Sequence, residues 1–328
     1  MLLLLASFSE FFPGTYENPV STTNSRQIPV SNNVYLCDCF FKDMIQATKN
    51  GGAIMVDSSS VYKILVEKST FHECIVGTGC SGGAIYINNI RDGVVFYQIC
   101  VYMCSTGSLY NSNGFGQYCY IKAQNTAFSN VLQNSISHCY KPTSLSNFQV
   151  ITIFDGIVEY KHTNSSNNNV YHGAGLTHSA GISSQYLYNT ISFNIARLSA
   201  ILYLDGGITN ILFCNLINNS QLSSSDGIIR IGYRYTNSNI TFSQCTIYYN
   251  TKSLLLYRYS GVITFINCNV DDNSASATFT LVNSIFNTLN NIHYSTYYCD
   301  AKPPERSSFF KSSCKNIFVF LTSLSVFI

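Results

Sequence analysis

Charged residues are scarce in this chain, at 10% of 328 residues, and tryptophan is absent. Soluble domains usually contain about 25% charged residues, so the polar surface must consist mainly of neutral Asn, Ser, Thr and Tyr side chains. Net charge is +2 and no basic run occurs. Neither nucleic acid nor an anionic membrane surface is therefore indicated as a partner.

Residues that favour strands are abundant, with 24 Tyr and 22 Phe beside many Ile, Val and Thr. No interior stretch shows a sustained apolar period of 3.6 residues, which a set of amphipathic helices would require. Only six prolines occur. The composition predicts an all-β fold, and the length permits a large core or an elongated stack.

A six-residue template recurs along the chain. A small or polar residue comes first, an apolar residue is third, and Asn, Cys or another compact residue is sixth. The steps between copies vary, as turns of a solenoid allow, and only the last step is too short for a full coil. The copies begin at Cys39, Ser69, Ile99, Asn134, Thr163 (a degraded copy), Asn189, Cys214, Cys245, Cys268 and Asn283.

Each template position has a physical interpretation. The first and third residues share one face of a strand and point into the stack, because side chains alternate with period two. The sixth lies at a turn, where Asn tolerates left-handed geometry and can pair with the Asn one coil away. This register predicts that Cys214, Cys245 and Cys268 lie inside, in one column, as packed thiols.

Two glycine pairs strengthen the repeat. GGAI occurs at Gly51–Ile54 and again, one template step later, at Gly82–Ile85. Glycine permits positive φ and close backbone approach at a corner, and the apolar residues after it favour a strand. Gly206–Ile208 and Asp226–Ile229 are interpreted as degenerate versions.

These patterns predict a single right-handed parallel β-helix (solenoid) of about ten coils. MLLLLASF is similar to a signal-peptide core without a basic n-region, and the twelve-residue tail is too short for a membrane-spanning helix, which takes about 20 residues. The tail fits a membrane-anchor remnant, a lipid-anchor signal or a buried strand over the last coil. The predicted division is signal peptide 1–14, irregular N-terminal cap 15–33, β-helix 34–298, polar spacer 299–316 and hydrophobic tail 317–328.

Thirteen cysteines leave at least one thiol unpaired if the others form bridges. The pairs close enough in sequence to bridge are Cys74/Cys80, Cys100/Cys104 and Cys299/Cys314, while Cys37-x-Cys39 has no second pair to complete a zinc pattern. Glycosylation sequons begin at Asn164, Asn218 and Asn239.

The repeats resemble those of the chlamydial polymorphic membrane proteins, which combine GGA-Ile/Leu/Val with Phe-x-x-Asn on a β-helix of pectin-lyase-like type. The second motif is matched only in part, since no copy has both Phe and Asn. Its equivalents here are Phe71–Cys74, Leu216–Asn219, Ile247–Asn250 and Val270–Asn273. The Asn/Tyr/Ser-rich texture and STYYCDA (295–301) also resemble trichomonad β-helix surface proteins. These resemblances imply a secreted or surface-displayed stalk.

Pectin-type hydrolases carry NTD, DD, HG and R-I-K motifs in that order. Here His172-Gly173 precedes Asp271-Asp272, no NTD occurs, and Gly232 follows Arg230-Ile231 where Lys is needed. Asp271 and Asp272 are interpreted as a solvated turn. Glycoside hydrolysis needs two carboxylates about 5 to 9.5 Å apart, and a pair from neighbouring coils stays open.

The histidines show no metal pattern in the sequence. His172 and His178 lie in a Gly-rich stretch that predicts a turn, and His162 and His293 have no carboxylate or thiol partner in an evident motif. We therefore expect no catalytic, cofactor-binding or metal-binding residues and no cofactor.

The favoured hypothesis is a non-catalytic secreted or surface-displayed protein with an adhesive, host-contact or structural role. Its expected partners are host or surface glycans or proteins, not nucleic acid, with membrane contact only through the C-terminal tail. The expected location is extracellular or at the cell surface. The alternatives are a carbohydrate-active enzyme (polysaccharide lyase or glycoside hydrolase) on the same fold, and a degenerate, non-functional paralogue.

Overall fold

Short strands alternate inward and outward side chains along the chain, and each pairs in parallel with a strand of the next coil. The result, in this computed structural model, is the predicted parallel β-solenoid, nearly all-β. The structure describes residues 8–21, 24–107, 114–124, 126–140, 149–179, 182–223, 227–232, 238–251, 254–258, 260–270 and 279–286.

The strands form three long sheets. Sheet 1 contains Asn33–Cys37, Lys63–Glu67, Gly93–Tyr97, Phe128–Leu132, Ile157–Lys161, Ser183–Leu187, Ile208–Leu212, Asn239–Ser243, Val262–Ile266 and Thr280–Val282. Sheet 2 contains Phe40–Lys42, Thr70–His72, Cys100–Tyr102, Ser135–Ser137, Asn164–Ser166, Thr190–Ser192, Asn215–Ile217, Thr246–Tyr248, Asn269–Val270 and Ile285–Phe286. Sheet 3 contains Ile54–Val56, Ile85–Ile90, Cys119–Ala123, Ile151–Phe154, Thr177–Ser179, Leu202–Asp205, Ile229–Ile231 and Leu256–Arg258.

Two short sheets lie between sheets 2 and 3 in chain order. Sheet 4 contains Ile45–Gln46, Ile75–Val76 and Ser105–Thr106, and sheet 5 contains Asn169–Val170, Ile195–Ala196 and Ser220–Gln221.

The solenoid has fewer complete coils than the ten that the sequence predicts. It makes about seven turns, which corresponds to the seven intervals between the eight strands of sheet 3. After Leu256–Arg258, the described coils continue only on sheets 1 and 2. In sheet 1, the last described pairing joins Val262–Ile266 to Thr280–Val282.

The corner between sheets 1 and 2 has the same form at all ten places where the described chain passes from sheet 1 to sheet 2. It consists of two residues, and the first has a left-handed backbone with φ between 47° and 57°. The residues in this position are Asp38, Lys68, Gln98, Gln133, His162, Tyr188, Phe213, Gln244, Asn267 and Asn283. The second corner residue is the first template residue. Since left-handed geometry costs about 1–2 kcal/mol for residues other than Gly, the contacts of the stack must impose it.

A second left-handed position follows sheet 2. There the fifth template residue has positive φ, as at Asp43 (55°), Glu73 (52°) and Asn218 (55°). The sequence predicts left-handed geometry at the sixth residue, whereas the structure has it one residue earlier. The sixth residue instead points inward, as the burial of Cys74 and Asn219 shows.

The predicted register is confirmed for every copy but the last. Apolar third residues face each other in sheet 2, where Phe41 pairs with Phe71 and Ile191 with Leu216. Even Ser165 of the degraded copy pairs with Ile191. The last copy begins at Ser284, one residue later than predicted, because Val270 pairs with Phe286.

The core is a continuous stack of aliphatic and aromatic side chains. Phe41 and Phe71 stack with ring centroids 5.0 Å apart, and Tyr160 and Tyr186 do so at 4.9 Å. Stacked aromatic pairs add about 0.5–1.5 kcal/mol beyond the area they bury. The solenoid is therefore filled rather than hollow in this region.

GGAI marks the corner before sheet 3. Gly51 and Gly82 have φ of 64° and 68°, and a Cβ on Gly83 would lie 2.0 Å from the carbonyl oxygen of Gln117. Gly227 occupies the same corner, as the prediction for Asp226–Ile229 requires. Gly206 and Gly207 do not, because they follow the sheet 3 strand Leu202–Asp205 and precede sheet 1.

The N-terminal segment covers the first coils. A short helix, Phe8–Phe11, places Phe8 and Phe12 over the outer face of sheet 1, against Tyr35, Leu65 and Val95. Further on, Val20 and Gln27 bridge in parallel to Leu36 and Ile54, so this segment begins an incomplete coil beneath the first. In the described part of the chain, no helix is long and apolar enough to cross a membrane.

Candidate functional site

Side chains that face outward from the sheets are the ones available to a partner. Two groups among them bring chemistry-bearing side chains together. One is a cluster of two acids and a histidine at the corner after sheet 2, and the other is an aromatic surface on sheet 3.

The acid–histidine cluster consists of Asp43, His72 and Glu73. One potential ligand atom from each residue lies within 4.8 Å of the others, and Nδ1 of His72 is 4.0 Å from Oε2 of Glu73. Asp43 is exposed, whereas His72 is only 4% exposed. The cluster therefore joins a buried imidazole to two more accessible carboxyl groups.

The solenoid holds these residues by its backbone. The amide of Asp43 donates to the carbonyl of His72 (3.0 Å), and the amide of Glu73 donates to the carbonyl of Tyr102 (3.0 Å). Because Asp43 and Glu73 occupy the same left-handed position in adjacent coils, their side chains leave the corner together. The ring of His72 stacks on Tyr102, with centroids 5.4 Å apart.

Burial lowers the pKa of His72. Glu73 and Asp43 oppose this shift by favouring the imidazolium, while Lys42 adds to it. His72 is thus favoured as a neutral imidazole, the form that can donate a lone pair. Lys42 also lies at the cluster, with Nζ 3.6 Å from Oδ2 of Asp43.

The aromatic surface on sheet 3 consists of Tyr86, Phe115, Tyr120 and Phe154. Tyr86 and Tyr120 are paired residues of adjacent coils and stack at 5.1 Å, and Phe154 lies 5.7 Å from Tyr120. Phe115 meets Phe154 edge to face at 5.7 Å. All four are half-buried and point away from the core, so they form a rigid aromatic platform.

The hydroxyl groups of this platform stay protonated. Burial, followed by the nearby carboxylate of Asp57, raises the pKa of Tyr86 to about 12. Burial likewise raises the pKa of Tyr120. The platform therefore offers neutral aromatic faces and hydroxyl groups rather than charge.

The same outward column of sheet 3 carries aromatic side chains again in later coils. Tyr203, Arg230 and Tyr257 are paired in consecutive strands. The guanidinium of Arg230 lies over the ring of Tyr203 at 5.1 Å. Thr152 and Thr177 lie in this column between Tyr120 and Tyr203, and both are buried.

The three-cysteine column is confirmed. Cys214, Cys245 and Cys268 are 7%, 2% and 1% exposed, and the amide of Cys245 donates to Sγ of Cys268 at 3.5 Å. All three are free thiols. Burial raises the pKa of Cys245 well above its usual value, so its thiolate is suppressed.

Two of the three cysteine pairs that are close enough in sequence to bridge do not form disulfides. Cys74, Cys80 and Cys104 are free thiols, which excludes the pairs Cys74/Cys80 and Cys100/Cys104. Cys100 is itself disulfide-bonded. The pair Cys299/Cys314 lies outside the described residues.

The histidines singled out in the sequence are dispersed. His172 lies in a bend before sheet 3 and His162 at a corner, stacked on Tyr188 at 5.0 Å. The turn predicted at His178 is wrong, since that residue is in a sheet 3 strand between Ile153 and Leu204. Full burial lowers the pKa of His178 to about 4. His293, Asp271 and Asp272 lie outside the described residues.

The sequons occupy outer positions. Asn239 is exposed at the start of its strand, and Asn164 and Asn218 are half-buried at the surface. Of the three, Asn239 has the most accessible side chain.

Sequence reasoning missed the acid–histidine cluster although a signal existed. In the first two template copies, CFFKDM and STFHEC, Lys42-Asp43 and His72-Glu73 fall at the same two positions. Residues at equal template positions lie next to each other in adjacent coils. An alignment of the two copies therefore predicts that these side chains are neighbours. The residues next to each histidine in sequence do not reveal this arrangement.

Comparison with known proteins leaves the geometry as the basis for function. No protein-family model, no curated protein and no solved structure matches this chain.

Proposed function

We propose that this chain is a non-catalytic β-helix protein of the secreted or cell-surface class, which binds a glycan or protein partner through the outer face of sheet 3. The observation that carries this proposal is the platform of Tyr86, Phe115, Tyr120 and Phe154. Its rings are fixed against one another at 5.1 to 6.2 Å. The role is adhesion, host contact or a structural contact.

The chemistry of the platform favours binding. Tyr side chains supply large contact area at low entropic cost, because only two torsions must be fixed. Here the stacking restricts those torsions before any partner arrives, which reduces the ordering cost of association. Asn88, which donates to Asp57 at 2.8 Å, adds amide and carboxylate groups on the same face of sheet 3.

Location at the surface is part of the proposal. The disulfide at Cys100 is of a kind that persists in oxidising compartments. The sequon at Asn239 has an exposed side chain, which a glycosylating enzyme requires. The likeness to chlamydial and trichomonad surface proteins of pectin-lyase-like type belongs to this proposal and rests on the sequence motifs alone.

The test measures binding and turnover on one preparation of the full chain. Immobilised host-type glycans, polyuronates and whole host cells are offered to the wild type and to the double variant Tyr86→Ala/Tyr120→Ala. We expect saturable binding without turnover, and a loss of at least about tenfold in affinity in the variant, as for central aromatic contacts elsewhere.

A matched control is Tyr249→Ala, which removes a 62% exposed tyrosine at a different corner. It should bind as the wild type does. Equal affinity in the wild type and the double variant would overturn the assignment of the platform. Turnover of any offered polysaccharide would overturn the non-catalytic role.

One observation favours a second candidate, a carbohydrate-active enzyme. Asp43 and Glu73 bring carboxyl oxygens from neighbouring coils within 4.8 Å, and retaining glycosidases hold their carboxyl groups about 5–5.5 Å apart. Turnover that disappears in Glu73→Gln, while the fold is kept, would establish this candidate over the first.

A further inference from the structure

The acid–histidine cluster contains a buried nitrogen without a partner. Nδ1 of His72 is shielded from solvent and has no hydrogen-bond partner among the described residues. A buried polar atom left unpaired is unfavourable for folding. The carboxyl group of Glu73 nevertheless stands beside this nitrogen, with Oε2 4.0 Å away, beyond hydrogen-bond distance.

We propose that Asp43, His72 and Glu73 form a binding site for a divalent transition-metal cation of the zinc class. Each residue offers one ligand atom, and the three atoms lie within 4.8 Å of one another. A cation between them would accept the lone pair of His72 Nδ1 and neutralise both carboxylates. It thus accounts for an unpaired nitrogen and for two acids side by side.

The donor set selects the class of metal. Imidazole nitrogen suits zinc and its transition-metal neighbours, whereas calcium and magnesium prefer sites built from oxygen alone. One nitrogen and two carboxylate oxygens, with a further position open to solvent, match a three-ligand zinc site. Calcium and magnesium should therefore bind much more weakly than zinc.

The site requires only side-chain movement. Ligand atoms around a tetrahedral zinc ion are about 3.3 Å apart, given bonds of 2.0–2.1 Å. The backbone of Asp43 and of Glu73 is fixed by hydrogen bonds of 3.0 Å, so the proposed site needs rotation of these two side chains to close the remaining distance. The ring of His72 is held by its stack on Tyr102.

The ammonium group of Lys42 would compete with the cation for the carboxylate of Asp43. Its Nζ lies 3.6 Å from Oδ2 of Asp43, and both side chains are at least a third exposed. Exposed ion pairs of this kind contribute little to stability. A divalent cation can displace the ammonium group, after which Lys42 extends into solvent.

The experiment is a titration of the full chain with zinc alone, and separately with calcium and magnesium, followed by calorimetry. We expect one zinc site, and a loss of affinity of at least about tenfold in Asp43→Asn and in Glu73→Gln, since each substitution removes a charged ligand. The matched control is Asp38→Asn, an exposed acid at the left-handed corner before sheet 2 in the same coil. It should keep the wild-type affinity.

The free thiols of the described coils could also take zinc, so the ligands must be identified. X-ray absorption separates zinc–nitrogen and zinc–oxygen bonds of about 2.0–2.1 Å from zinc–sulfur bonds of about 2.3 Å. We expect only the shorter bonds. Sulfur ligation, or zinc affinity unchanged in Asp43→Asn/Glu73→Gln when urea unfolding shows the variant folded, would overturn the proposal.

Discussion

The side-chain amide of Asn194 donates to Oδ1 of Asn219, one coil away, at 3.1 Å. The same Oδ1 accepts the backbone amide of Asn194 at 3.0 Å. Asn168 bonds to Asn194 in the same way, and Asn219 to Asn250. These four residues form a buried amide ladder, in which each side chain satisfies the backbone of its neighbour.

Asn219→Ala should destabilise the solenoid by about 2–3 kcal/mol, because it leaves buried donors of Asn194 and the carbonyl of Ile191 unpaired. Urea unfolding followed by circular dichroism measures the change. Asn210→Ala is the control, since Asn210 is an exposed residue of the same coil, and it should change stability by less than about 0.5 kcal/mol. Equal losses in the two variants would contradict the role of the ladder.

His178 should make stability depend on pH. Its folded pKa is about 4 against 6.5 for the free group, so the unfolded chain takes up a proton between these values and the folded chain does not. Stability is therefore lost as pH falls from 6.5 towards 4, by up to about 3 kcal/mol.

His178→Leu removes the titratable imidazole. It also removes two buried ring nitrogens that have no hydrogen-bond partner in the described core. Unfolding free energies at pH 7 and pH 4.5 should differ less for the variant than for the wild type. Parallel pH curves for the two proteins would show that His178 titrates normally in the fold.

The buried thiols should resist alkylation in the native state. Burial raises the pKa of Cys119 and of Cys245, and only the thiolate reacts. Iodoacetamide at pH 8, read by mass spectrometry, should modify these residues only after denaturation. Native modification of either residue at a rate faster than global unfolding would refute their position in the core.

The N-terminal helix that packs on the outer face of sheet 1 should contribute strongly to stability. Phe12 is 3% exposed, packs on Phe128 at 5.4 Å and lies under Lys63. Phe12→Ala should cost about 3 kcal/mol, whereas Tyr16→Ala, at a residue that is 87% exposed, should be nearly neutral. Thermal unfolding distinguishes the two. Little effect from Phe12→Ala would mean that the helix is only loosely attached.

The inner face of the coils could be predicted from the sequence because burial imposes strict requirements on it. Apolar residues such as Phe71 and Leu216 must recur at the third template position, and compact residues such as Cys214 fit the crowded corner. The left-handed corner residues could not be predicted by type. Lys68, Tyr188 and Phe213 have no preference for positive φ, and it is the stacking of the coils that imposes it.

The acid–histidine cluster and the aromatic platform can be predicted only from an alignment of the coils. Asp43 and Glu73 meet because they follow paired strands of sheet 2, and Tyr86 and Tyr120 meet because they are partners in sheet 3. The glycines around His178 predict a turn. Pairing with strands on both sides places it in the core instead, which shows that tertiary contacts override a local signal.

The constant two-residue corner between sheets 1 and 2 limits where this chain can change in length. One additional residue there would exchange the inward and outward side chains of the strand that follows, since alternation has period two. Coils of different lengths nevertheless share this corner, so their differences in length arise elsewhere in the coil. Peptide tags or foreign loops should accordingly be tolerated beside sheet 3, and a single-residue insertion after Asp38 should not.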